Sequence, residues 1–124
     1  MVHLDTNFLV KSLKPNSAEQ QRVLAWWSSP NEDIGVSAVV WSEFFCGPLS
    51  ASEEATARRF FPAPEALVAA DAELAAQIFN KTGRRSRTLA DCMIAAVAIR
   101  CAARLATINT SDFQPFVQHG LMLA

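Results

Sequence analysis

Cysteine, histidine and net charge are all scarce in this chain, and each shortage closes a class of function. The three cysteines, Cys46, Cys92 and Cys101, are odd in number and show neither a CxxC nor a Cys/His metal spacing. A disulfide framework and a zinc site are thereby excluded, and the thiols read as reduced core residues of a cytoplasmic protein. The two histidines, His3 and His119, read as core or edge residues. No apolar run approaches the roughly 18 residues of a membrane span. The longest, Cys92 to Ile99, is closed by Asp91 and Arg100, and Asp5 interrupts the N-terminal run that a signal peptide would need. The formal charge is −1, so a nucleic acid would have to be drawn by a local basic patch or a bound metal. One such patch exists, "TGRRSRT", carrying Arg84, Arg85 and Arg87. Repeats, low-complexity segments and linkers are also missing, and 124 residues predict one domain spanning residues 1–124.

What the chain does have is an alternation of short apolar runs with helical stretches, which predicts an α/β fold with a largely parallel sheet. Strands are expected near Val2–Asp5, Ile34–Val36, Leu67–Ala69, Leu105–Thr107 and Leu121–Leu123. Helices are expected near Thr6–Leu13, Ser17–Ser28, Ala38–Cys46, Glu53–Phe60, Ala72–Lys81 and Leu89–Arg104. Ser37 and Thr88 are placed to cap the helices that follow them, and Gly47 with Pro48 ends the first of these.

Four acids then stand out by position. Asp5 ends the first strand, Glu43 lies on the helix after the second, Asp91 opens the apolar "ADCMIAAVAI" helix, and Asp112 follows the fourth strand. In open α/β sheets ligands bind at the carboxyl edge of the strands. Each acid taken alone has a plain structural reading. Asp5 can cap a helix, Asp91 can complete a capping box with Thr88 or pair with Arg87, and Asp112 can cap a short turn before Pro115. Glu43, set among Trp41, Phe44 and Phe45, is costly if buried without a partner. Together they carry more weight. Two like charges at 4 Å repel by about 4 kcal/mol at an effective dielectric of 20, so a convergent quartet requires protons or cations. Oxygen donors without a His or Cys set select Mg²⁺ or Mn²⁺ over zinc, and such a site suits phosphodiester hydrolysis.

The segments "LDTN", "SEFFCG", "LADCMIAAVAI", "TINTSDF" and "GLMLA", in this order, resemble the PIN-domain family, and within it the small VapC-like ribonuclease toxins of toxin–antitoxin pairs. That resemblance implies a three-layer sandwich with a central, mainly parallel sheet of four or five strands flanked by helices. It implies a Mg²⁺- or Mn²⁺-dependent endoribonuclease that hydrolyses RNA with metal-activated water. Carried over by position, Asp5, Glu43, Asp91 and Asp112 become the catalytic and metal-binding acids, with Thr6, Asn7, Thr107 and Asn109 as supporting polar residues. Thr107 would hydrogen-bond a carboxylate or metal-bound water. Arg84, Arg85 and Arg87 become candidate RNA contacts. A cognate antitoxin, a homodimer and a cytoplasmic location are implied as well. His3 stands where a β-branched strand residue is common, and Ile108 where Arg is often found, which bears on one phosphate contact.

The aromatic doublets Trp26–Trp27, Phe44–Phe45 and Phe60–Phe61 add a second expectation. Helix neighbours point about 100° apart, so one of each pair is expected at the surface or against a partner. Two rivals fail on missing residues. A phosphoaspartate receiver needs a Lys on a late strand, and the last Lys is Lys81; a haloacid-dehalogenase-type phosphatase needs an Asp where Asn7 stands. A non-cleaving PIN-like binding module and a DNA-directed nuclease of the same superfamily remain as alternatives.

Overall fold

In the computed structural model, which describes residues 1–124, four short strands lie side by side in the order β2-β1-β3-β4. They are β1 (Val2–Leu4), β2 (Ile34–Gly35), β3 (Arg104–Ala106) and β4 (Met122–Leu123), and all pairings are parallel. Helices connect and flank them: α1 (Thr6–Ser12), α2 (Ala18–Trp27), α3 (Ala38–Phe45), α4 (Ala51–Phe60), α5 (Ala69–Lys81), α6 (Leu89–Arg100) and α7 (Thr110–Phe113), followed by a 3₁₀ helix over Gln114–His119. This is the expected α/β sandwich, with four strands.

β1 is buried at every position, because neighbours cover it on both sides and helices on its faces. Val2, Leu4, Leu105 and Ala106 join Phe8, Phe44, Phe113, Ile94 and the alanines of α6 in one core. His3 sits within this strand, buried, in register with Gly35 of β2. A Cβ at Gly35 would lie 3.3 Å from the imidazole, so the glycine gives the ring its room.

The fifth strand does not form. Around Leu67–Ala69 the chain makes only an isolated bridge further upstream, Ser37 with Glu65. The Asp71 carboxylate accepts the Val68 N–H at 3.0 Å and starts α5 at Ala69, three residues earlier than expected. The long α6 also ends early, at Arg100, because Ala102 takes a left-handed backbone (φ 52°) that turns the chain into β3. Ser37 caps α3 as expected, accepting from Val40 N–H at 3.1 Å. Thr88 does not act that way: its hydroxyl donates to the Arg85 carbonyl, and no side-chain cap is made. The cysteines are free, but Cys46 is exposed, against the expectation of three core thiols.

Two buried aspartates organise different regions. Asp71, 1% exposed, receives Arg100 Nε at 2.8 and 3.1 Å on its two oxygens. The same guanidinium donates to Glu65 and to the Ala66 carbonyl, so α6 is tied to the segment before α5. Asp5, 4% exposed, has no such cation.

Candidate active site at the carboxyl ends of the strands

The chain leaves β1, crosses to β2 on one side, and later returns to β3 on the other side of β1. A cleft opens at such a switch point, beyond the carboxyl ends of the strands. Asp5 sits there. Its backbone N–H donates to the Ala106 carbonyl at 2.9 Å, extending the β1–β3 pairing to the residue itself. Its side chain caps α1, accepting the Thr6 N–H at 2.8 Å on Oδ1, so the plain reading of Asp5 is true. The other oxygen, Oδ2, accepts the Thr107 hydroxyl at 2.8 Å. Thr107 in turn accepts the Asn109 N–H at 3.0 Å, which fixes the loop after β3.

Thr6 carries the arrangement across to α3: its hydroxyl donates to Glu43 Oε1 at 2.7 Å. One chain of hydrogen bonds therefore links Thr107, Asp5, Thr6 and Glu43. Glu43 is exposed, which removes the burial cost that its aromatic neighbours suggested. Phe44 takes the core position on that turn instead.

Asp91 and Asp112 complete the charge distribution. Burial, then repulsion from Asp5, Glu43 and Asp112, pushes the Asp91 carboxyl up to about 6. Asp5 is also raised, by burial first; the Thr107 and Thr6 hydrogen bonds oppose this, and Glu43 and Asp112 add to it. The four carboxylates thus lie in one another's field. They do not yet form a grip: no group of three or more Asp, Glu, His or Cys side chains is arranged to hold a metal ion. Mutual field and ligation are separate conditions, since repulsion acts over longer distances than a metal–oxygen bond. The all-oxygen donor set suits a hard divalent cation in kind.

The capping-box and ion-pair readings of Asp91 are not realised, as neither Thr88 nor Arg87 bonds to it. The three arginines before α6 separate. Arg84 turns back to Asn80 Oδ1 and over the Phe79 ring, 5.6 Å from its centroid. Arg85 lines a small recess together with Thr82, Thr88 and Asp112. Arg87 is exposed and unpaired. Arg84 and Arg87 both take left-handed backbone, at φ 52° and 67°, which turns successive side chains in different directions. Asn7 is exposed and lines a larger groove with Thr6 and Glu43. Lys14 and Glu53, which the sequence did not single out, line the same groove.

A PIN domain family model matches residues 2–114. The chain belongs to the PIN domain family. Among solved structures, a chain of FitAcB from Neisseria gonorrhoeae is 27% identical, with 100% of this chain and 97% of that one covered at a TM-score of 0.71. VapBC2 from Rickettsia felis, bound to a DNA fragment from its promoter, shares the fold at 18% identity, 100% and 98% coverage and a TM-score of 0.75. VapBC-1 from nontypeable Haemophilus influenzae shares it at 20% identity, 100% and 97% coverage and a TM-score of 0.72. No curated protein matches the chain by sequence.

Proposed function

We propose that the chain is a Mg²⁺- or Mn²⁺-dependent endoribonuclease and the toxin of a toxin–antitoxin pair. The observation that carries this reading is the shared field of the four acids, which pushes Asp91 up to about 6 around a buried, cation-free Asp5. Family membership and the likeness to FitAcB support it. Asp5, Asp91 and Asp112, with Glu43, are the residues that would hold the ion. Bound there, the ion supplies Lewis acidity toward a phosphate oxygen and lowers the pKa of an attacking water.

The protein's own residues do the remaining work. Thr107 and the Thr6 N–H fix both oxygens of Asp5, and the Thr6 hydroxyl orients Glu43. Glu43, exposed and directed by Thr6, is the group placed to orient the attacking water. Arg85, beside Asp112, is the arginine placed to take a flanking phosphate; Arg84, engaged with Asn80, is not. Trp27 and Phe60, both exposed, pack on each other at 4.5 Å beside exposed Leu24. One member of each aromatic doublet is indeed buried less than its neighbour, and this α2–α4 face supports an antitoxin partner or a homodimer. No helix is long and apolar enough to cross a membrane, and a cytoplasmic location fits the proposed substrate.

The decisive experiment is incubation of total cellular RNA with purified protein in Mn²⁺, Mg²⁺ or EDTA, with Asp5→Asn alongside and fragment ends mapped. Discrete, metal-dependent fragments with 5′-phosphate and 3′-hydroxyl ends, absent from the variant, are the expected result. Ends carrying 2′,3′-cyclic phosphate would exclude hydrolysis by water. A second reading, a non-cleaving RNA- or protein-binding module, is favoured by the lack of a ready three-acid grip. Metal affinity without cleavage of RNA would select it, and cleavage of DNA alone would select a DNA-directed nuclease.

A further inference from the structure

Two recesses flank the acids, and they are unequal. Beside Asp112 the recess lined by Arg85 encloses only about 20 Å³. On the Glu43 side a groove of about 380 Å³ runs between α1 and the start of α4. The second is within the range of about 300–1,000 Å³ used for small-molecule recognition, and the first is not.

The lining of the larger groove says what it would take. Thr6, Asn7 and Glu43 of the acidic site line it together with Pro48, Leu49, Lys14 and Glu53. A phosphate is disfavoured, because Glu43 and Glu53 would both repel it. A flat group with apolar faces and a polar edge fits instead. Glu53 is held in place: its Oε1 accepts the Ser50 N–H at 3.2 Å, and its own N–H donates to the Ser50 hydroxyl at 3.1 Å. Those Ser50 bonds, and after them the charge of Lys14, keep the Glu53 carboxyl below its ordinary range. Lys14 is near enough to act in this way, yet the two make no direct ion pair. An acceptor pair and a cationic donor thus stand side by side with a gap between them.

Unstacked RNA bases are read on their Watson–Crick edges. A carboxylate accepts there from adjacent N–H groups, and a lysine donates to a carbonyl. Guanine alone among the four bases presents a carbonyl followed by two neighbouring N–H donors. Uracil follows its single N–H with a second carbonyl, which a carboxylate repels. Adenine and cytosine offer the carboxylate only one amine, beside a ring nitrogen that can accept from the ammonium, so they leave the second carboxylate oxygen without a donor.

We propose that this groove is the pocket for one unstacked guanine next to the scissile phosphate, with Glu53 accepting from its N1–H and N2 amine and Lys14 donating to O6. This rests on the reading of the chain as an RNA-cleaving enzyme and adds to it a base specificity that the acids do not provide.

The test is binding of short fluorescent single-stranded RNAs in EDTA, followed by anisotropy. The strands carry one guanosine, or inosine, adenosine or uridine in its place. Wild type should bind the guanosine strand at least about tenfold more tightly than the adenosine and uridine strands, with inosine between, since each bidentate base contact contributes about 1–3 kcal/mol. Glu53→Gln, in which Gln can still complete the helix cap, should erase the guanosine-over-inosine difference. Lys14→Ala should weaken guanosine and inosine binding together. Equal affinity for all four strands, or wild-type order in both variants, would overturn the proposal. Cleavage in Mn²⁺ separates the two readings. Cuts adjacent to guanosine support the pocket, and cuts indifferent to it refute the pocket while leaving the nuclease intact. Guanosine-selective binding with no cleavage supports the pocket and refutes the nuclease.

Discussion

Asp5 and Asp71 are the two buried aspartates of this protein, and their surroundings are opposite. Asp71 is met by the Arg100 guanidinium on both oxygens and by the Val68 N–H. Asp5 is met by a hydroxyl and one N–H, and faces three further carboxylates. A buried charge is costly unless compensated. The compensated one is a structural clamp between α6 and the start of α5. The under-compensated one stores an unmet demand for positive charge, which is the physical basis for reading the strand edge as a cation-dependent site.

Three substitutions test that contrast. Asp5→Asn should lower RNA cleavage by more than about a hundredfold, because even residues that only support metal ligands contribute 10- to 100-fold. Its unfolding midpoint should stay at or above that of wild type, and a large drop in denaturant midpoint would show Asp5 to be structural after all. Asp71→Asn should do the reverse. It should lose about 2–3 kcal/mol of stability, less than the ~3–5 of a fully enclosed pair because Arg100 keeps a third of its side chain in solvent. Urea titration measures this, and a neutral result would dissolve the clamp.

Manganese provides an intermediate effect. At ten times its dissociation constant, an ion bound only by the folded state adds about 1.4 kcal/mol. Wild type should gain this rise in melting temperature, and Asp91→Asn should gain less; equal shifts would remove Asp91 from the ion's ligands.

The smallest effect is in the pH profile. Asp91 is raised in the folded state, from the ordinary carboxylate range to about 6, so ionising it opposes folding. The penalty develops as pH climbs between about 4 and 6 and stays constant above. Each unit is equivalent to about 1.36 kcal/mol, trimmed by the solvent around this half-buried group. Asp91→Asn should therefore be about 1 kcal/mol more stable than wild type near pH 8, with the difference shrinking toward pH 4. His3 runs the other way in both variants. Burial holds its imidazole below the ordinary range, so stability that it contributes near neutrality is lost as pH falls below about 6.5. Taking the difference between the two profiles cancels His3 and isolates Asp91.

Much of the fold was legible because it follows local rules. Apolar alternation located β1, β2, β3 and β4 to within a residue or two, and Ser37 announced α3 by a cap that the structure contains. Where reading failed, a contact distant in sequence had decided. The strand expected at Leu67–Ala69 gave way once Asp71, itself fixed by Arg100 29 residues later, seized the Val68 N–H. The four acids could be picked out from their places after strands, but not their spacing. Whether they share a field or grip an ion depends on side-chain angles that no local pattern encodes. The arginine trio shows the same limit, since only left-handed backbone at Arg84 and Arg87 sends Arg85 alone to Asp112.

The hydrogen bond from Thr107 to Asp5 joins residues 102 positions apart. Ribosomes add about 5–20 residues per second, so Asp5 waits on the order of ten seconds for the partner that fixes its second oxygen. β3, the strand that carries the chain to Thr107, is made last but one. A growing chain therefore holds Asp5 without its Thr107 partner until that residue has left the ribosome, and only then can the second oxygen be fixed.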